Sequence, residues 1–121
     1  MSQLDREYDD FIGTFQKALG KIDVALALRT LYLERKLAHD EKPKVELYIC
    51  YRAGVDLDKK KYELNEFFPC LSTTTFKNNR LVPDCERVIK VECLTDLKTI
   101  HEMSKDDDIE HVSGAASLGS Y

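Results

Sequence analysis

The sequence contains no long run of apolar residues. No segment approaches the roughly eighteen uninterrupted apolar residues of a membrane-spanning helix. Residues 1–7 have neither the basic start nor the apolar stretch of a secretory signal peptide. These absences argue against a membrane-inserted or exported protein. We therefore expect a cytoplasmic chain, or one released from a larger context.

Glycine and positive charge are also scarce. The five glycines are scattered, and none forms the glycine pattern that cradles a phosphate, so nucleotide binding through such a loop is not expected. The formal net charge of -4 argues against a general nucleic-acid binder, which needs a basic surface. The short run Lys59–Lys61 does not reverse this balance, and we expect it to form a solvated helix face. Neither nucleic acid nor membrane is expected as a partner.

Cysteine and histidine occur without the spacing of metal or catalytic sites. The four cysteines form no Cys-x-x-Cys pair and have no adjacent histidine, so we expect them to be reduced and mostly buried. The three histidines lie in different predicted elements, without a nucleophile and base positioned together. The run Asp106–Asp108 lacks the alternate spacing and glycine of a calcium loop and predicts a solvated loop. We expect no catalytic residues, no metal and no cofactor.

The first 43 residues carry helical patterns. Apolar residues recur at three- and four-residue intervals from Leu4 to Leu19, which predicts an amphipathic helix whose aromatic stripe faces the core. Val24–Leu37 is rich in helix-forming residues and follows Asp23, which can cap a helix. We predict a second helix here, and a strand is the alternative for this stretch, since Val24, Leu26 and Leu28 alternate. A polar segment that ends at Pro43 closes this region.

Strand and helix patterns alternate from Lys44 onward. Strands are predicted at Val45–Tyr51, Cys70–Phe76, Glu86–Cys93 and Ile109–Val112, and helices after caps at Asp56 or Asp58 and at Thr95 or Asp96. This order is typical of a ferredoxin-like α+β fold, a split β-α-β unit whose four-stranded antiparallel sheet is covered by two helices. We expect residues 1–43 to be an N-terminal helical extension and residues 44–121 to be the ferredoxin-like domain. The helical pair either packs on the open sheet face or forms a separate hairpin.

Three segments after Pro43 follow the pattern of a known family. Val45–Tyr51 looks like its first strand, Ile89–Leu97 like its third strand entering the second helix, and Ile100–Val112 like its helix, Asp-containing turn and last strand. The portion 44–121 thereby resembles the propeptide domains of subtilisin-like serine proteases and the related free-standing inhibitors. The N-terminal helices and the long link between the second and third strands depart from the family's pattern.

The resemblance implies a role for the C-terminal tail. In that family the sheet packs on two surface helices of the protease, and the tail lies in the active-site cleft as a cleaved product. Tyr121 would then fill the primary specificity pocket and Leu118 a second apolar pocket, while Gly119 and Ser120 permit close backbone approach. The implied function is an intramolecular chaperone and inhibitor of a subtilisin-like protease, acting in cis or in trans.

Three alternatives stay open at this point. The second choice after the propeptide function is a ferredoxin-like regulatory or ligand-binding module that self-associates through its sheet. The N-terminal helices are also able to act as an adaptor that tethers the domain to a larger partner. Finally, Ser113–Tyr121 is consistent with a frayed terminus that has no binding role.

Overall fold

The computed structural model has an α+β architecture of four helices and four strands among the residues it describes, which are 3–38, 40–68, 72–77 and 87–118. In chain order the elements are α1 (Gln3–Leu19), α2 (Val24–Lys36), β1 (Lys44–Tyr51), α3 (Leu57–Phe67), β2 (Ser72–Lys77), β3 (Arg87–Leu94), α4 (Leu97–Met103) and β4 (Ile109–Ser117). The predicted fold class, with its N-terminal helical pair, is confirmed.

The four strands form one antiparallel sheet in the order β2-β3-β1-β4. β1 lies between β3 and β4, and its alternate apolar residues Val45, Leu47 and Ile49 are fully buried against the helices. The alternate side chains of β1 and β3 point to the opposite face. The order of strands and the helices after β1 and β3 give the ferredoxin-like arrangement.

Aspartate side chains begin three of the helices. Asp23 accepts a hydrogen bond from the Leu26 N–H at the start of α2, at 3.3 Å. Asp56 caps α3 and Asp96 caps α4, where its Oδ1 lies 2.8 Å from the amide nitrogen of Thr99. Each cap satisfies backbone donors that the first helical turn leaves unpaired. Of the paired candidates offered by the sequence, the structure uses Asp56 and Asp96.

The second helix packs on the same side of the sheet as α3 and α4. Leu26, Ala27 and Leu33 belong to one hydrophobic core with the buried side chains of β1 and β3. The chain just before α2 also bonds to β4: Asp23 N–H donates to the Val112 carbonyl at 2.8 Å, and Val112 N–H to the Lys21 carbonyl at 3.0 Å. α2 therefore lies neither on the open sheet face nor in a separate hairpin, the two placements expected from sequence.

The first helix is exposed over most of its length. Leu4, Tyr8 and Phe11 are 73%, 62% and 56% exposed, whereas Phe15 packs partly against the core and Leu19 is buried. The prediction that the aromatic stripe faces the core is therefore wrong for the N-terminal half of the helix. The periodicity predicted the helix correctly, but amphipathic spacing does not specify what the apolar face contacts.

The last strand is longer than predicted, since it continues five residues beyond Val112 to Ser117. A register shift between Cys50 and Tyr51 of β1 leaves one extra residue in β4 there, so Ile109 and Val112 are both buried although they are three residues apart. Beyond the shift, β4 pairs regularly with β1 and places Gly114 opposite Leu47. Half of the segment expected to be a free tail is thus part of the sheet.

Candidate binding face and tail

The sheet face opposite the helices carries no helix in the described part of the chain. Its side chains come from alternate positions of the strands, where Glu46 of β1 lies opposite Glu92 of β3 and Tyr48 opposite Lys90. These four side chains are half-buried, and Leu94 at the end of β3 is 59% exposed. The face therefore presents a polar centre with an apolar margin, a composition that suits a protein-binding surface.

Lys90 forms ion pairs with both glutamates of the polar centre. Its Nζ lies 2.9 Å from Glu46 Oε1 and 3.2 Å from Glu92 Oε1, and the Tyr48 hydroxyl donates to Glu46 Oε1 at 2.9 Å. The hydrogen bond from Lys90, followed by that from Tyr48, lowers the pKa of Glu46. The same contacts with Glu46 and Glu92 raise the pKa of Lys90. At neutral pH one ammonium thus lies between two carboxylates in a fixed arrangement.

A small buried cluster lies at one end of this face. Cys50 and Val88 are 3% and 0% exposed and pack with Tyr48. Cys50 is disulfide-bonded, so the prediction of reduced cysteines is wrong at this position. Cys93 is free and buried as predicted, and burial raises the pKa of its thiol to about 11. The remaining two cysteines, Cys70 and Cys85, lie outside the described residues.

The tail leaves the sheet beside an exposed leucine. Ser117 pairs with Lys44 of β1, which pairs in turn with Leu94 of β3, so β3 and β4 end at the edge of the sheet where β1 begins. Leu118 follows directly and is 53% exposed. It lines a shallow depression of about 430 Å³ together with Leu37 and Leu94. The other three residues of the predicted cleft-binding segment, Gly119, Ser120 and Tyr121, lie outside the described residues.

Two charge clusters expected to be solvated are joined on the helical side of the sheet. The Lys60 side chain is only 10% exposed, and its Nζ lies 2.8 Å from carboxylate oxygens of both Asp106 and Asp108 and 3.2 Å from Glu63. The predictions of a solvated lysine run and a solvated aspartate loop are therefore wrong for these residues. Only the contact of Lys60 with Glu63 could be predicted from the sequence, because residues three apart on one helix are neighbours.

The described ranges contain neither a metal-binding group nor a membrane-spanning helix. They contain no group of three or more histidine, cysteine, aspartate or glutamate side chains arranged to hold a metal ion. Their helices are too short or too polar for any of them to cross a membrane.

Comparisons with known proteins were made for the whole chain. No family model, curated protein or solved structure matches it. The resemblance to protease propeptides therefore depends on the sequence pattern.

Proposed function

We propose that this chain is a non-catalytic inhibitor of a subtilisin-like serine protease, of the propeptide type. In this proposal the sheet face opposite the helices docks on the protease surface and the segment from Leu118 to Tyr121 enters the active-site cleft. The observation that carries the proposal is the position of Leu118, which lies exposed beside the exposed Leu94 where β4 ends. Leu94 on the sheet and Leu118 at the start of the tail thereby line the same depression.

The strength of inhibition depends on both parts of that surface. Filling an apolar pocket with leucine or tyrosine contributes about 1.5–3 kcal/mol, which is about tenfold to a hundredfold in affinity for each anchor. Ordering the tail on binding consumes part of this free energy. A tail with two anchors therefore binds weakly alone, and tight inhibition requires burial of the sheet face as well, on the order of 800 Å² on each partner.

The proposal is tested by removing the tail. We expect a variant that ends at Ser117 to lose at least about a hundredfold in inhibition constant against a subtilisin-like protease, because both pocket anchors are absent. The inhibition constant is measured with a chromogenic peptide substrate, and circular dichroism checks that the shortened chain keeps its fold. β4 is complete at Ser117, so the sheet should remain intact.

A matched pair of leucine substitutions separates the tail from general surface effects. Leu118→Ala should weaken inhibition about tenfold, whereas Leu4→Ala, at a more exposed leucine of α1, should leave it unchanged. Equal effects of the two substitutions, or an inhibition constant that does not change on removal of the tail, would contradict the proposal.

The competing function is a ferredoxin-like module that self-associates through the same sheet face. The observation that favours it is the exposed Leu94, on a face that carries no helix within the described ranges. Leu94→Asp distinguishes the two functions. A self-associating module should become monomeric in sedimentation or size-exclusion measurements, whereas an inhibitor should lose affinity for the protease with no change in its own mass.

The proposal also includes the cellular compartment in which the inhibitor occurs. The expectation of a cytoplasmic protein depended partly on reduced cysteines, and the disulfide at Cys50 removes that support. Disulfides persist in oxidising compartments, so we place the inhibitor there. Alkylation of the protein at the moment of cell lysis tests this placement, since a chain from a reducing compartment would yield all four cysteines as free thiols.

A further inference from the structure

A cleft of about 440 Å³ lies between α3 and α4, on the opposite side of the sheet from the proposed docking face. Its apolar lining includes Leu64 and Phe67 of α3 and Met103 of α4. Leu64 and Met103 are buried, and Phe67 is 40% exposed at the mouth. The cleft therefore has an apolar floor that an aliphatic chain is able to cover.

The polar walls of the cleft are mostly acidic. Among the described residues of the lining, Glu63, Glu66, Glu102 and Asp106 contribute four carboxylates and Lys60 contributes the single cation. That cation is already bound to Asp106, Glu63 and Asp108. Glu66 forms no ion pair with any described residue. Lys105 Nζ lies 3.2 Å from Glu102, so Glu66 is the carboxylate of the described lining that has no ion-pair partner.

A tyrosine hydroxyl that has no hydrogen-bond partner in the described part of the chain also lines the cleft. Tyr51, the last residue of β1, is only 3% exposed, and its hydroxyl makes no hydrogen bond within the described part of the chain. Burial, and then the nearby charge of Asp106, raise the pKa of this hydroxyl, so it stays neutral and is able both to donate and to accept. The hydroxyl oxygen is accessible from the cleft, so a bound group is able to form a hydrogen bond with it.

We propose that this cleft binds a cationic group on an aliphatic stem, an alkylammonium or an alkylguanidinium. The cation donates hydrogen bonds to the Glu66 carboxylate and the Tyr51 hydroxyl, and the stem packs on Leu64 and Met103. Both a free aliphatic amine and a lysine or arginine side chain of a partner have this chemistry. The inference is independent of the protease proposal, because it concerns the other side of the sheet.

The binding experiment uses the full chain labelled with ¹⁵N and follows its amide chemical shifts. n-Butylguanidinium is titrated beside two partial probes, guanidinium without a stem and n-butanol without a charge. We expect n-butylguanidinium to shift the amides around the cleft and to bind at least about fivefold more tightly than either partial probe, since burial of the stem adds to the charge contacts. Equal binding of n-butanol, or shifts spread over all acidic surfaces, would overturn the proposal.

Two substitutions with a charge-matched control locate the binding site. Tyr51→Phe keeps the ring and removes the hydroxyl, and Glu66→Gln removes the uncompensated charge. Each should weaken binding of n-butylguanidinium about twofold to tenfold. Asp10→Asn, an exposed residue of α1 remote from the cleft, makes the same charge change as Glu66→Gln and should have no effect. Equal effects of Glu66→Gln and Asp10→Asn overturn the site, and urea denaturation verifies the fold of each variant.

The source of the cation is settled by two larger probes. Agmatine represents a free amine, and the blocked peptide acetyl-Ala-Arg-Ala-amide represents a side chain of a protein partner. Tighter binding of agmatine supports a small-molecule ligand, and tighter binding of the peptide supports a protein partner. Failure of both probes to bind overturns the proposal and leaves protease inhibition, which is measured separately, unaffected.

Discussion

Gly114 is the residue at which the fold tolerates a side chain least. Its φ angle is +149°, and a Cβ atom built there lies 1.9 Å from the Glu46 carbonyl oxygen of β1. The backbone of Gly114 and the backbone of Glu46 are unable to move apart, since both are hydrogen-bonded in paired strands. We expect Gly114→Ala to destabilise the protein by about 2 kcal/mol or more in urea denaturation. Gly13→Ala is the control, because its Cβ meets nothing within 4 Å and alanine favours the helix by about 0.5–1 kcal/mol. Equal effects of the two substitutions would refute this account.

Contacts between residues close in the sequence were predicted, whereas contacts between distant residues were not. The capping aspartates were predicted because a cap acts on backbone groups two or three residues away. The contact between Lys60 and Asp106 was not predicted, because 46 residues separate them and only the packing of α3 against the end of α4 brings them together. For the same reason the acidic cleft and the unpaired hydroxyl of Tyr51 had no local signal.

At the scale of elements, the short helix α4 depends on the charge of its cap. Asp96 accepts the hydrogen bond from Thr99 N–H, and its other carboxylate oxygen lies 2.9 Å from Lys42 Nζ. Burial raises the pKa of Asp96, but the hydrogen bonds from Thr99 and Lys42 outweigh it and lower the pKa to about 2. Because this pKa is depressed in the folded state, its contribution to stability is complete above about pH 4 and is lost as the pH falls towards 2.

The substitution Asp96→Asn tests that charge separately from the cap. Asparagine is also a good cap, so α4 should persist, while the loss of stability between pH 4 and pH 2 should shrink by about 1 kcal/mol relative to the parent chain, after allowance for solvent screening. Thermal unfolding followed by circular dichroism across this pH range measures the difference. Parallel curves for the two proteins would show that the charge of Asp96 has no such role.

Elements also differ in how well periodicity predicts them. β1 was predicted almost to the residue, because both of its faces are specified by alternating side chains. β4 was predicted too short, because Gly114, Ala115 and Ala116 have little strand preference and extend the strand only through their pairing with β1. The close approach at Gly114 explains why small residues occur there.

At the scale of the whole molecule, the N-terminal helical pair is divided between core and surface. α2 shares the core of the sheet, with Leu26 only 1% exposed, whereas the first half of α1 lies outside it, with Leu4 73% exposed. The sequence could not distinguish these two helices, because both have apolar faces and the contact of α2 with β4 joins segments about 85 residues apart. Folding of the sheet and of α2 should therefore be a single cooperative event.

The same substitution in each helix tests this division. Leu26→Ala removes a buried side chain and should destabilise the protein by about 2–5 kcal/mol, whereas Leu4→Ala should change stability by less than about 0.5 kcal/mol. The decisive measurement is whether near-ultraviolet circular dichroism of the tyrosines and far-ultraviolet circular dichroism of the backbone lose signal at the same urea concentration in Leu26→Ala. A single shifted transition means that α2 and the sheet unfold together, as a shared core requires. Two separate transitions, with the sheet as stable as in the parent chain, would mean that α2 is an appendage whose apolar face is available to a partner.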